Sequence, residues 1–183
     1  MAAAKAMLDE THLNLPTSSN DQNTYVPGRI HDHNVVIACL PSGVYGTTSA
    51  ATVASQMLST FQSIRFELMV GIGGGAPTEK IDIRLGDVVV SKPTGGFGGV
   101  VQYDSGKAVG QGVFECTGSL NKPPQILLTA IAKLQADQIV MGKSRVPECL
   151  PEIIAMHPAM QTEFTYRGKE QDRLFDPHTT TMD

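Results

Sequence analysis

The feature that most constrains this chain is a run of glycines between two apolar segments. Four of the five residues 71–75 are glycine, with Leu68–Val70 before them and Val88–Val90 after a short loop. Glycine gathers at the end of a buried strand where the backbone needs φ above zero, or where a ligand approaches the main chain more closely than a Cβ allows. The pattern predicts two buried strands joined by a turn that has few side chains. This turn is either a tight connection between the strands or one wall of a binding site.

The composition is typical of one globular domain. The chain has 183 residues, of which 41% are hydrophobic and 17% charged, and this balance suits a sheet covered on both faces. Its 14 basic residues are scattered in a chain of net charge −4, which argues against a nucleic-acid partner. No apolar stretch is long enough for a membrane span, and Asp9 and Glu10 argue against a targeting peptide. We therefore expect no membrane partner and a cytoplasmic location.

Cysteine and histidine give no metal-site pattern. Cys39, Cys116 and Cys149 lie far apart, which suggests neither a disulfide frame nor a zinc site, and Cys39 is predicted to be a small buried residue in an apolar strand. His31 and His33 are two residues apart in a predicted turn, and solvated histidines are a stronger interpretation than metal ligands. No metal site is expected.

Apolar periodicity and turn residues predict the elements in order. They are a helix over 1–11, a hairpin of 25–30 with 34–40, a helix capped by Thr47 or Thr48, strands over 64–70 and 87–91, a loop over 92–112, and helices over 121–134 and 147–156. This order predicts an α/β fold, a three-layer αβα sandwich with a mixed central sheet. Because the chain opens in mid-helix and has no late strand, we expect the first strand and the C-terminal strands to be missing.

The turn before the helix at Thr47 has the features of an anion site. It follows a predicted buried strand and contains Gly43 and Gly46, so backbone N–H groups and the positive end of a helix dipole point outward. No Gly-Lys-Ser/Thr follows, which excludes a Walker A loop.

Several sequence blocks in order resemble the nucleoside phosphorylase superfamily, of the purine/uridine phosphorylase and methylthioadenosine nucleosidase type. The closest resemblance is to the phosphorylase-like domain of fungal multidomain signalling proteins. The blocks are HNVVIACLPSGVYGTTSAA (33–51), LMVGIGGGAP (68–77), IRLGDVVVS (83–91), VVQYD (100–104) and TGSLNKPPQILLTA (117–130). The resemblance implies a partial domain over 1–166, followed by a polar, disordered tail over 167–183.

The resemblance also implies a site. Phosphate or water and the ribose would contact two turns, and the base would lie near a loop, across a subunit interface of a homodimer. Nucleoside and phosphate would be the ligands, with phosphate as a co-substrate and no other cofactor. The implied phosphate and ribose contacts are Ser42, Gly43, Val44, Gly71, Ile72, Gly73 and Gly74, and the base-proximal residues are Phe97, Gln102 and Tyr103.

The chain departs from the family pattern at three places. Met69 stands where phosphorylases have an arginine, and Ile72 stands where many members have a serine. The C-terminal segment that carries the family's Met-Glu motif and catalytic Asp is not in this sequence. No catalytic residue can therefore be assigned, and the chain alone is expected to be inactive.

Two functions follow from the resemblance. The first is the family chemistry, cleavage of the N-glycosidic bond of purine or pyrimidine nucleosides, which needs a nucleophile beneath the sugar and a proton donor at the leaving base. The alternative is a non-catalytic nucleoside-binding or sensing module of a fungal signalling protein.

Overall fold

The computed structural model describes residues 1–79, 81–110, 113–118, 120–166 and 168–172. The chain divides into two compact units. The first contains residues 1–69 and 149–163, and the second contains residues 70–148 and the chain from 164 onward. The predicted α/β class is confirmed as a general description: the described residues form two small antiparallel sheets and five α-helices, which is compatible with an incomplete α/β fold.

The first unit is built on a three-stranded antiparallel sheet. Its strands are β1 (Glu10–Thr11), β2 (Val26–Ile30) and β3 (His33–Ile37), in the order β1-β2-β3. The predicted hairpin is confirmed: Ile30 pairs with His33 across a turn in which His31 has a φ of 49°. Because β1 and β2 approach closely at Gly28, a Cβ there would lie 2.5 Å from the carbonyl oxygen of Glu10, and it would lie 2.7 Å from a methyl of Leu8.

Helices complete the first unit. They are α1 (Ala2–Ala6) and α2 (Thr47–Thr60), then α4 (Val146–Met156), most of which belongs here, a 3₁₀ turn (Pro158–Met160) and α5 (Gln161–Phe164). Phe61, just after α2, meets Tyr25 edge to face at 4.8 Å between ring centroids. Ala6 and Tyr25 are buried apolar side chains of this unit.

The second unit contains a hairpin and a long helix. The strands β4 (Gly106–Gly110) and β5 (Val113–Cys116) pair antiparallel, with an irregular register between Ala108 and Gly110. The helix α3 (Gln125–Met141) begins after Pro124 and ends at Gly142, whose φ of 67° is the left-handed conformation that glycine favours. A 3₁₀ turn (Lys169–Gln171) precedes Asp172, which lies 3.7 Å from Arg84.

The structure differs from the sequence-based prediction at the two segments that flank the glycine run, which were predicted to be strands. Residues 64–70 and 87–91 have irregular backbone, and their apolar side chains are largely exposed. A strand needs a neighbouring strand that pairs with its backbone N–H and C=O groups. Its apolar side chains are buried only where another element packs over that face of the sheet. In the described residues neither segment has a paired strand, so an apolar sequence alone did not make them strands.

Four local predictions were also wrong. The first helix ends at Ala6 instead of residue 11, because Asp9 and His12 bond the carbonyls of Arg29 and Pro27 and draw the chain into the sheet. Gly46, with φ 103°, occupies the cap position of α2 because Thr47 is already helical. Cys39 is exposed because β3 ends at Ile37. The predicted loop 92–112 contains β4.

The predicted helices over 121–134 and 147–156 are confirmed as α3 and α4. Most of the predicted tail over 167–183 lies outside the described residues.

Candidate functional site

A cavity of about 220 Å³ lies in the second unit, between the loop 97–105 and the segment that follows β5. Its wall combines an aromatic ring and aliphatic groups with a few neutral polar groups. The lining residues are Phe97, Val100, Val101, Gln102, Ser105, Cys116, Thr117, Gly118 and Leu120.

The first half of the loop is held by a short turn and a close backbone approach. The backbones of Thr94 and Phe97 bond each other reciprocally, at 3.2 and 3.0 Å. Gly98 is buried, and a Cβ on it would clash with the Leu120 carbonyl and lie 3.0 Å from the carbonyl oxygen of Asn121. Glycine is therefore required at position 98 for the loop to lie against residues 120–121.

The second half of the loop is tied to the end of β5. The Ser105 N–H donates to the carbonyl of Gln102 at 3.3 Å, and the Thr117 N–H donates to the carbonyl of Ser105 at 3.2 Å. The Cys116 thiol lies 3.8 Å from the carbonyl oxygen of Tyr103. These bonds bring Gln102, Ser105 and Thr117 to one cavity, although Gln102 and Thr117 are far apart in sequence.

The cavity can recognise a neutral, flat ligand. An amide and two hydroxyls supply hydrogen-bond donors and acceptors, and Phe97 supplies an aromatic face. None of the nine lining residues that the structure describes is Asp, Glu, His, Lys or Arg. This described part of the wall therefore offers no carboxyl, imidazole or ammonium group for general-acid catalysis.

Two of the three predicted base-proximal residues line this cavity. Phe97 and Gln102 are in its wall, whereas Tyr103 is 84% exposed and outside it. Sequence reasoning missed Ser105, Cys116 and Thr117, because the strand β5 that positions them was not predicted. The available signal was short: only Phe114, Glu115 and Cys116 alternate between apolar and polar side chains.

The predicted phosphate and ribose residues lie on two exposed turns. Ser42, Gly43 and Val44 belong to the first unit, in a turn closed by the Val44 N–H on the carbonyl of Pro41 at 3.0 Å. Gly43 has a φ of 77° and leads to the N-terminus of α2.

Gly71, Ile72, Gly73 and Gly74 belong to the second unit, in irregular backbone with the Ile72 side chain fully exposed. A Cβ on Gly71, Gly73 or Gly74 would meet nothing within 4 Å, and none of these glycines has a positive φ. The anion-binding role of both turns stays a prediction.

A polar cluster around Asp21 secures the first unit. Its carboxylate accepts hydrogen bonds from the Tyr25 hydroxyl at 2.7 Å, the Asn23 N–H at 3.0 Å and the Thr60 hydroxyl of α2. The Asn23 amide donates to the Tyr25 oxygen at 2.9 Å and to the Val53 carbonyl at 3.0 Å. The cluster therefore fastens the segment 21–25 to α2.

The cluster shifts the ionisation of both acids in it. Burial raises the pKa of Asp21, but the hydrogen bonds from Thr60, Asn23 and Tyr25 together outweigh burial and hold that pKa below its ordinary value. Burial is also the main cause that raises the pKa of the Tyr25 phenol, and the bonded carboxylate adds to it. Asp21 is thus held as the anion and Tyr25 as the neutral donor.

A second depression, of about 580 Å³, lies at the end of α3. It is lined by Gln135, Gln138, Ile139, Gly142, Lys143 and Ser144. Lys143 is already paired with Glu148, and Ser144 with Gln138 at 3.3 Å and with the Val146 N–H at 3.2 Å. The side chains of Lys143, Gln138 and Ser144 are therefore used within the chain.

Comparison with known proteins gives one informative relative. The chain is 48% identical, over 177 residues, to a nucleotide-binding leucine-rich repeat (NLR)-like protein of the fungus Hyaloscypha variabilis. The match covers 96% of this chain and 17% of that protein, so the chain spans about a sixth of the length of its relative. This similarity relates the chain to one part of an NLR-like protein. No family model matches the sequence, and no solved structure matches it either.

In the part of the chain that the structure describes, no helix combines the length and the apolar character needed to cross a membrane. The described residues also contain no group of three or more His, Cys, Asp or Glu side chains arranged to hold a metal ion.

Proposed function

We propose that this chain is a non-catalytic nucleoside-binding module of a fungal NLR-type signalling protein. The observation that carries the proposal is the neutral cavity between the loop 97–105 and the end of β5, in a chain similar over nearly its whole length to an NLR-like protein. Such a module would sense a ligand and pass the binding event to the rest of a longer protein.

The ligand class follows from the cavity wall. A nucleobase is flat, neutral and edged with hydrogen-bond donors and acceptors, so it can stack on Phe97 and bond to the Gln102 amide. A volume of about 220 Å³ is below the usual range for drug-sized ligands, roughly 300–1,000 Å³, and suits one ring system better than a dinucleotide. Ser105 and Thr117 add hydroxyls at the wall.

Binding without cleavage follows from the same wall. Cleavage of an N-glycosidic bond needs a proton donor at the leaving base, and the described lining residues include no carboxyl, imidazole or ammonium group for that role. Met69 and Ile72 further remove two side chains with which phosphorylases bind phosphate and ribose. The family chemistry is therefore the weaker of the two hypotheses for this chain.

Calorimetric titration of the chain with adenosine, inosine and uridine tests the proposal. We expect saturable binding of at least one nucleoside. Phe97→Ala should weaken it by about tenfold or more, because a base that stacks on an aromatic ring gains roughly 1–3 kcal/mol. Gln102→Ala should also weaken it, by loss of a hydrogen-bonding partner.

Tyr103→Ala is the matched control. It removes an aromatic ring from the same loop but outside the cavity wall, so binding should be unchanged. Equal losses in Phe97→Ala and Tyr103→Ala would place the ligand elsewhere on the loop. Absence of binding to all three nucleosides, or release of free base during the titration, would contradict the proposal.

A further inference from the structure

An exposed valine segment lies between two fixed points of the second unit. Val88, Val89 and Val90 are 67%, 73% and 53% exposed. Before them, the Arg84 N–H donates to the Asp87 carboxylate at 2.8 Å, and the Asp87 N–H donates to the Arg84 carbonyl at 3.1 Å. After them, Gly99 packs on the Lys92 backbone so closely that a Cβ on it would lie 3.0 Å from the Lys92 carbonyl carbon.

The backbone of this segment has free hydrogen-bonding groups. Residues 88–91 lie outside every helix and strand, and none of their N–H or C=O groups makes a hydrogen bond within the described residues. Valine is β-branched and favours strands, and an apolar segment with unpaired backbone groups is a template for pairing with another strand. No proline or charge interrupts the template, since the sequence is Val-Val-Val-Ser.

The charges at its two ends select the partner and the orientation. Asp87 precedes the segment and Lys92 follows it. In an antiparallel pair of two copies, Asp87 of each copy would lie opposite Lys92 of the other, with Val89 opposite Val90. A parallel pair would place like charges side by side, which destabilises a sheet. The segment is therefore self-complementary in the antiparallel arrangement only.

We propose that two copies of this chain associate through an antiparallel pairing of residues 87–92, related by a two-fold axis. The pairing satisfies the free backbone groups of Val88–Ser91 and covers the exposed valines. Ile81 and Leu85, which are exposed nearby in sequence, enlarge the apolar area available to a standard interface, which buries about 800 Å² on each partner. This interface is separate from the residues of the cavity and does not depend on nucleoside binding.

Sedimentation equilibrium of the full chain over a wide range of concentrations tests the pairing. We expect a reversible monomer–dimer equilibrium. Val89→Lys should weaken it by at least tenfold, because a lysine at a strand edge opposes pairing, and Val89→Pro should do so by removing a backbone donor.

Val140→Lys is the matched control. Val140 is 86% exposed, but its backbone is part of α3 and cannot accept a strand, so the dimer should be unaffected. A chain that stays monomeric at all concentrations would overturn the proposal, as would a dimer indifferent to Val89→Lys. A chain that stays monomeric and pairs with a strand of another protein would also overturn the proposal.

A charge substitution tests the register without changing the valines. Lys92→Asp would place two like-charged pairs in the two-fold interface, and we expect dimerisation to weaken on the order of tenfold. Lys122→Asp makes the same change in net charge at a residue outside the paired segment 87–92 and should leave the dimer intact. Because Lys92 is exposed, this test remains decisive if Val89→Pro fails to fold, which far-ultraviolet circular dichroism would show. Equal effects of Lys92→Asp and Lys122→Asp would contradict the register.

Discussion

At the scale of single residues, Asp21 organises the first unit. It collects hydrogen bonds from Tyr25, Asn23 and Thr60, and so links a polar loop to α2. The loop itself was predictable from its Ser, Asn and Asp content, and the Asp21-x-Asn23 spacing is typical of a side chain that bonds the backbone two residues on. The contact with Thr60 was not predictable, because it joins residues 39 positions apart.

Tyr25→Phe should lower the free energy of unfolding of the chain by about 1 kcal/mol, since Asp21 loses a donor and the Asn23 amide loses an acceptor. Urea unfolding followed by circular dichroism measures the change. Tyr45→Phe removes a hydroxyl from a residue that is exposed and should have no effect. Equal stability of the two variants would show that the Tyr25 hydroxyl does not contribute.

The stability of the chain should fall in acid partly because of Asp21. Its pKa is lowered in the folded state, so its contribution is fully present above the ordinary carboxyl pKa and is lost as the pH falls through the lower, folded value. The urea midpoint of the wild-type chain should therefore decrease below about pH 4. In Asp21→Asn this midpoint should start lower and depend less on pH. An unchanged acid dependence in Asp21→Asn would contradict the assignment.

At the scale of elements, local sequence patterns predicted the helices and the hairpin. The other predicted strands depend on pairing with segments that are distant in sequence, which local patterns do not show. Three segments predicted to be helical became α2, α3 and α4, and the short turn at His31 gave β2 and β3. The predicted strands around the glycine run depend on neighbouring strands that the described residues do not supply. Of the candidate site, the loop residues Phe97 and Gln102 were predicted, but the opposite wall was not.

Gly98 lies where a larger side chain would clash, whereas Gly73 lies where a larger side chain would fit. Neither Gly98 nor Gly73 has a positive φ, but a Cβ on Gly98 meets the backbone of Leu120 and Asn121, while one on Gly73 meets nothing within 4 Å. Gly98→Ala should cost about 1–3 kcal/mol of stability by overpacking. Gly73→Ala should stay within about 0.5 kcal/mol of the wild type. Thermal melting of both variants measures the difference, and the reverse order of stability would show that the loop is not held at Gly98.

At the scale of the whole molecule, the chain exposes far more surface than its mass requires. Its accessible surface is 15,517 Å². A packed monomer of 19.5 kDa exposes about 8,500 Å², and two separate globules of half that mass would expose about 10,000 Å² together. The excess agrees with the many exposed apolar side chains of the described residues.

This excess predicts weakly cooperative unfolding. The m-value, which is the slope of the free energy of unfolding against urea concentration, is proportional to the surface that unfolding newly exposes. It should therefore be roughly two-thirds of the m-value of a fully packed chain of this length. Equilibrium unfolding at a concentration where the chain is monomeric measures it. An m-value equal to that of packed proteins of similar size would contradict the exposed surface.

We propose that the cavity beside the loop 97–105 binds a nucleoside and leaves it intact. One set of NMR spectra of the isotope-labelled chain, recorded with adenosine over a day, tests both parts. We predict saturable shifts of the amide signals of Gln102, Ser105 and Thr117, with no free adenine formed. Shifts confined to other residues, the absence of any shift, or the appearance of adenine would contradict the claim.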